Sequence, residues 1–189
     1  MQAIIKPAAA LLIITLVAAA ILGFVHDVTL EPIAQSQMEI EAAAIRGIFP
    51  AADKVQEIEG PLAIPNESSV SRGADIYSKG QLIGVAVYAS PTGYAGKVSL
   101  VVGFDASGAI AGLQILSHSE TPGLGANATQ PSFTSQFEGR EQELSVAKGS
   151  PKENEIQALT SATITSSAVV KGANDARAFF SALEGAVGD

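Results

Sequence analysis

The sequence predicts an α+β fold behind an N-terminal membrane helix. Three observations carry that expectation: a 19-residue uncharged run near the start, two pairs of apolar β-branched runs joined by turn residues, and a C-terminal stretch with apolar residues at helical spacing. The chain has 189 residues, of which 47% are apolar and 16% charged, and its mean hydropathy is positive. An acidic chain with net charge −8 is ordinarily polar throughout, so one segment must concentrate the apolar residues. The chain has no cysteine, which excludes iron–sulfur clusters, thiolate zinc, CxxCH haem attachment and a disulfide framework. Two histidines, His26 and His118, cannot build a multi-histidine metal centre, so no metal site is expected. The acidic balance argues against nucleic acid, because phosphate neutralisation needs clustered Lys and Arg.

The apolar segment is residues 7–25. As a helix it rises about 28 Å, close to a hydrocarbon core of roughly 30 Å. A cleaved signal peptide is the rival, but the run continues past Ala18, Ala19 and Ala20 through Ile21, Leu22, Phe24 and Val25, beyond an ordinary h-region. The expectation is an uncleaved anchor over residues 1–28 and one domain over 29–189. Lys6 precedes the span and the next cation after it is Arg46, so the amino terminus is expected on the cytoplasmic side and the domain on the outer face.

Residues 30–48 read as a helix, with Ile33, Met38, Ile40, Ala44, Ile45 and Ile48 on one stripe and Pro50 as its stop. Residues 60–71 read as a loop containing two prolines. Strands are expected over 75–78 and 81–89, with Lys79-Gly80 as a tight turn, and over 97–104 and 109–116, with residues 105–108 as a second turn. They make a mostly antiparallel sheet. Phe133 and Phe137, four apart, predict a short helix with one buried face. Val169, Val170, Ala173, Ala176, Phe179, Phe180 and Leu183 predict an amphipathic helix over 166–183 lying on the sheet.

Four features compete for chemistry. Gly123-Leu124-Gly125-Ala126-Asn127-Ala128 fits a dinucleotide fingerprint in letters only, since Pro122 precedes it and Pro131 follows. A type II turn, with Pro122 at i+1 and Gly123 at i+2, is the better local reading. His118 and Glu120 form either an acid/base pair or a loop bonded to its own backbone. Glu138, Arg140, Glu141 and Glu143 read as a solvated surface. The fourth is the crowd of hydroxyls at Thr160, Ser161, Thr163, Thr165 and Ser166, just before the last helix. Capping needs one of them, and Thr165 is the expected N-cap. The others lie beside a helix N-terminus, whose free amides attract anions. A phosphate ester on Thr163 would then sit against the amides of Ser166 and Ser167.

At these residues the sequence resembles the FMN-binding G subunit of the Rnf electron-transport complexes, and more distantly the C subunit of the sodium-pumping NADH:quinone reductase. Thr160-Ser161-Ala162-Thr163-Ile164-Thr165-Ser166 is similar to the family's S-G-A-T-x-T-S motif. His118-Ser119-Glu120-Thr121-Pro122-Gly123-Leu124-Gly125 is similar to its second motif, and Phe133…Gln136-Phe137 to its aromatic-x-x-Gln-Phe stretch. Ser161 departs from the motif's glycine, and Gln157 stands where the flavin transferase's recognition pattern usually has Asp.

The resemblance implies an electron carrier in an ion-translocating membrane complex, with FMN joined through its phosphate to Thr163 by a flavin transferase. It implies cofactor contacts from Ala162, Ile164, Thr165 and Ser166, and from His118, Glu120, Thr121, Gly123, Leu124 and Gly125 in the second motif. Glu120 is expected to bring a carboxylate near the flavin. Its partners would be integral and redox subunits of the same complex, and the chain alone is not expected to turn over substrate. The residues by themselves are also compatible with a membrane-anchored outer binding or scaffold domain without a cofactor.

Overall fold

The computed structural model describes residues 2–58 and 68–187, with side chains described over 7–58 and 68–183. The chain divides into two units, Met1–Ala42 and Ala43–Asp189. Helix α1 (Gln2–Ile48) is continuous, so the membrane-length run and the stalk stripe are one element. It is the one helix among the described residues long and apolar enough to cross a membrane. Within its apolar part, the Thr15 hydroxyl donates to the carbonyl of Leu11 at 3.0 Å, and just past that part the Thr29 hydroxyl donates to that of Val25 at 2.8 Å. Each hydroxyl is thereby satisfied inside the helix, which for Thr15 is what a hydrocarbon surrounding demands.

The second unit is built on five antiparallel strands in sequence order: β1 (Lys54–Glu57), β2 (Val70–Ser78), β3 (Gln81–Ala89), β4 (Ser99–Asp105) and β5 (Ile110–Ser117). Both expected hairpins form. Lys79 and Gly80, at φ 50° and 79°, make the β2–β3 turn, and Gly108, at φ 84°, closes the β4–β5 turn. Asp105 fixes the second turn by accepting from the Ser107 amide and hydroxyl. Strand β1 has no signature in the sequence. It has four exposed residues, and its pairing to β2 rather than its composition makes it a strand. The loop expected over 60–71 is corrected at its end, because Val70 and Ser71 already belong to β2. Its residues 60–67 lie outside the described residues.

Strands β3 and β4 are apolar without alternation because both faces of the sheet are covered. On one face Val85, Val87, Leu100, Val102 and Phe104 meet helix α3 (Thr163–Val187), through Val169, Val170, Ala173, Ala176, Phe179 and Phe180. Phe104 and Phe180 stack with centroids 4.9 Å apart. On the other face Ala74, Ile76, Ala86, Tyr88 and Val101 meet Ile45 and Phe49, at the end of α1 and just beyond. Phe49 sits where Gly84 and Gly103 leave hollows, since a Cβ on either would overlap its ring.

Three side chains fasten α3. Asp175 accepts from the amide and hydroxyl of Ser69 at 2.7 and 2.6 Å, and Asn174 exchanges two hydrogen bonds with the backbone of Leu144. Arg177 donates to the carbonyls of Gly108, Arg140 and Glu141. The acidic segment beyond the phenylalanines covers the edge of β5, where the Gly139 amide bonds the Ile110 carbonyl and the Ile110 amide that of Arg140.

The short helical turn with two phenylalanines is present as α2 (Pro131–Thr134) followed by one 3-10 turn (Ser135–Phe137). Phe133 and Phe137 are buried edge to face at 5.6 Å. A small parallel pair, β6 (Ser145–Ala147) and β7 (Glu155–Gln157), leads to α3.

The hollow under Phe49 gives a direct test. Gly103→Val places a side chain into the Ile48 and Phe49 contact. The expected cost is about 1–3 kcal/mol of overpacking, read as a lower urea midpoint for loss of near-ultraviolet dichroism.

Candidate functional site

The segment from β7 to α3 is held by its own backbone and by Ser166. Ser166 Oγ accepts from the Leu159 amide at 2.9 Å and donates to the Ala162 carbonyl at 3.0 Å. The Ser166 amide also donates to that carbonyl, so Ala162 is the N-cap and helical backbone begins at Thr163. This corrects two expectations. Thr165 is not the cap, because the helix starts three residues earlier than the apolar periodicity indicates. The free amides are not those of Ser166 and Ser167, since the Ser166 amide is already used. They belong to Thr163, Ile164 and Thr165, which have no acceptor among the described residues.

Ser161 has φ 61°, in the left-handed region. That is the position where the resembled motif carries glycine, and the backbone needs what glycine supplies. A serine there costs about 1–2 kcal/mol of local strain.

Thr165 spends its hydroxyl elsewhere, donating to Glu120 Oε2 at 2.7 Å. Glu120 Oε1 accepts from the amides of Tyr94 and Ala95 at 2.9 and 3.0 Å. The carboxylate is 5% exposed and joins three segments that are distant in sequence. Burial pushes its pKa up, but the Thr165, Ala95 and Tyr94 hydrogen bonds outweigh it and hold the carboxyl below its usual range. Two glycines make room for the junction. A Cβ on Gly93 would overlap Glu120 Oε1, and one on Gly125 would overlap both Glu120 Oε2 and Thr165 Oγ1. The expected turn is present, with the Leu124 amide on the Thr121 carbonyl at 3.1 Å and Gly123 at φ 76°. Between residues 125 and 129 follows a 3-10 turn, not the long helix of a dinucleotide fold.

Between these parts lies a cavity of about 460 Å³ lined by Tyr94, Glu120, Thr121, Leu124, Gly125 and residues 161–165. Its size suits a cofactor-sized ligand. Of the residues singled out in the sequence, Glu120, Thr121, Leu124, Gly125, Ala162, Thr163, Ile164 and Thr165 line it together. His118, Gly123 and Ser166 do not. His118 Nδ1 accepts from the Glu120 amide at 3.2 Å, Gly123 shapes the turn, and Ser166 is buried beneath.

Sequence reasoning misses Tyr94, whose only signal is an aromatic residue between Gly93 and Gly96. Tyr94, Leu124 and Ile164 are 72%, 42% and 56% exposed, so large apolar surface left in water gathers around this cavity.

The third motif acts at a distance. Gln136 Oε1 accepts from the Gln157 amide at 2.7 Å, and its Nε2 faces the Gln157 carbonyl at 3.5 Å, an amide side chain pairing with β7 like a strand. This fixes the chain just before the hydroxyl cluster, and the Gln157 side chain stays exposed.

Comparison with known proteins agrees with this geometry. The family model described as the FMN-binding domain matches residues 93–178, which begin at the Gly93-Tyr94 turn and end in α3. The crystal structure of Shewanella oneidensis NqrC superposes with a TM-score of 0.62 at 19% identity, covering 80% of this chain and 99% of that one. The C subunit of the Na(+)-translocating NADH-quinone reductase from Parabacteroides distasonis gives 0.61 at 17% identity, covering 80% and 95%. Fold and site therefore define an FMN-binding domain carried behind a membrane-length helix.

The curated relatives narrow this. The G subunit of the Na(+)-translocating ferredoxin:NAD(+) oxidoreductase complex of Acetobacterium woodii is 37% identical, over 87% of this chain and 85% of its own length. Its counterpart in the proton-translocating complex of Clostridium ljungdahlii is 36% identical over 82% and 80%, and that in the ion-translocating complex of Methanosarcina acetivorans 33% over 96% and 97%. The chain belongs to the G-subunit family of the ion-translocating oxidoreductase (Rnf) complexes.

Two measurements follow from this junction. Glu120→Gln replaces an acceptor by an amide that cannot satisfy all three donors, and is expected to cost about 1–3 kcal/mol at neutral pH. The folded pKa of Glu120 lies below its unfolded value, so its stabilisation is complete above the ordinary carboxylate range and is lost as pH falls through the folded pKa. Urea midpoints of wild type and variant should therefore converge in acid; a gap that stays constant contradicts an ionised Glu120. Ser161→Gly relieves the left-handed strain and is expected to raise stability by about 0.5–1 kcal/mol, after the added freedom of the unfolded chain, seen as a higher melting temperature.

Proposed function

We propose that this chain is the electron-carrying subunit of a membrane-bound, ion-translocating Rnf-type complex, and that its FMN is held by a phosphoester to Thr163. One observation carries the attachment: Thr163 is the first residue of α3, lines the cavity, and has no side-chain partner among the described residues. The neighbouring hydroxyls are less suited. Thr165 and Ser166 are engaged in buried hydrogen bonds, and Thr160 does not line the cavity.

The residues fit the group. The amides of Thr163, Ile164 and Thr165 and the positive end of the α3 dipole favour a phosphate on the Thr163 oxygen. Gly125 leaves its Cβ volume open to the Glu120–Thr165 hydrogen bond, and Tyr94, Leu124 and Ile164 offer apolar surface to a ring system. FMN supplies one- or two-electron transfer, which suits a relay between carriers of either kind. This chain's residues do the rest. Thr163 fixes the phosphate end, Thr121, Leu124 and Gly125 wall the cavity, and Glu120 holds the walls in register. In forming the ester, Thr163 Oγ1 gives up its proton and bonds the flavin's phosphorus as the donor's leaving group departs. A flavin transferase supplies that activated donor. It would read the exposed Gln157 and Thr160-Ser161 stretch.

Residues 1–28 anchor the chain in the membrane and 29–189 stand on the outer face, supported by Lys6 before the apolar run and the lack of a cation until Arg46. The helix would dock against integral subunits of the complex, which carry the ions.

The test is a denaturing gel viewed under ultraviolet light. The wild-type band is expected to fluoresce and the Thr163→Val band to stay dark while the chain remains folded and membrane-bound. A dark wild-type band overturns the covalent attachment; FMN found by peptide mass spectrometry on Thr160 or Thr165 overturns the Thr163 assignment. Protease added outside right-side-out vesicles should digest the domain, and its protection would reverse the orientation.

A further inference from the structure

We infer that Tyr94 is the aromatic platform on which the isoalloxazine ring lies. The inference rests on the flavin reading of the cavity. The β3–β4 connection is a small hairpin in which Thr92 pairs with Lys97 and the Gly93 amide bonds the Gly96 carbonyl at 2.7 Å. Its tip is Tyr94 and Ala95, and both tip amides are held by Glu120 Oε1. The backbone under Tyr94 is thus fixed to the same carboxylate that holds Thr165, two residues from the attachment point. The side chain is treated in the opposite way. Tyr94 lines the cavity, is 72% exposed as a residue, and makes no aromatic or cation contact among the described residues.

A rigidly mounted aromatic ring left bare at a cavity edge is apolar area held open for a flat ligand. Leu124 and Ile164, also exposed and lining the cavity, are too narrow to stack but give the rest of the apolar border. The phosphate end and the ring end of one cofactor would then be set by a single hydrogen-bonded unit, Tyr94–Glu120–Thr165.

Composition makes this testable by light. A phenol or indole in contact with excited flavin gives it one electron and takes the same electron back, so fluorescence is lost with no net chemistry. Phenylalanine is too hard to oxidise to do this. The chain has three tyrosines and no tryptophan. Tyr88 is buried against the Phe49 side of the sheet, and the Tyr77 hydroxyl faces Asp75; neither lines the cavity. Tyr94 is the one available quencher.

The experiment uses the full-length chain in detergent. Native flavin fluorescence is divided by the flavin counted on the denatured chain, and compared with that of the flavopeptide released by complete proteolysis. Wild type is expected to be several-fold dimmer than the flavopeptide. Tyr94→Phe should recover several-fold per attached flavin, and Tyr94→Trp should stay dim. Wild type as bright as its flavopeptide, or Tyr94→Phe as dim as wild type, overturns the inference. If denatured wild type carries no flavin, the covalent reading fails by itself, and the comparison is repeated with added FMN. Quenching on binding that is lost in Tyr94→Phe still supports the platform; binding without that loss, or no binding, overturns it.

Discussion

The buried carboxylate of Glu120 is the constraint on which the site depends. Its two oxygens collect a hydroxyl from the first turn of α3 and two amides from the β3–β4 tip. A buried charge is tolerable only when its acceptor sites are filled, and here the donors that fill them are also the walls of the cavity. The glycines at 93 and 125 follow from the same requirement, because side chains there would displace the carboxylate. Much of the second motif is explained before any ligand is considered: it builds the junction, and the ligand uses what the junction leaves open.

Burial on both sides of the sheet explains how this junction is kept rigid. Helix α3 covers one face with its phenylalanines, and Phe49 sits in glycine hollows on the other. Strands β3 and β4, which carry the 93–96 tip between them, are therefore packed from above and below. Close packing of this kind leaves few alternative positions for a connection clamped at its base.

Where the physics is local, the sequence is legible. Lys79-Gly80 announces its turn, Pro122-Gly123 announces another, and the three-and-four spacing through Phe179 and Phe180 announces α3. The hydroxyl cluster and the Glu120 loop mark the two halves of the cavity. What the sequence hides is non-local. Strand β1 is polar and exists through its pairing. Thr165 has the composition of a cap, but a carboxylate 45 positions away claims its hydroxyl, and nothing near Thr165 could reveal that. The apolar stripe starts α3 too late because Thr163 and Ile164, facing the cavity rather than the sheet, fall outside it. Tyr94 escapes notice because one aromatic residue in a glycine turn has no periodicity to betray it.

The long separations inside the junction also set an order of events during biogenesis. Residues 94, 120 and 165 meet across 26 and 45 positions, and they meet only once the sheet has closed and α3 has settled on it. Loop closure of that length comes late compared with hairpins and helices. A chain whose α3 has not yet settled thus carries Thr163 without the cavity that surrounds it in the folded domain. Folding is the checkpoint, and the cavity exists only on a finished domain.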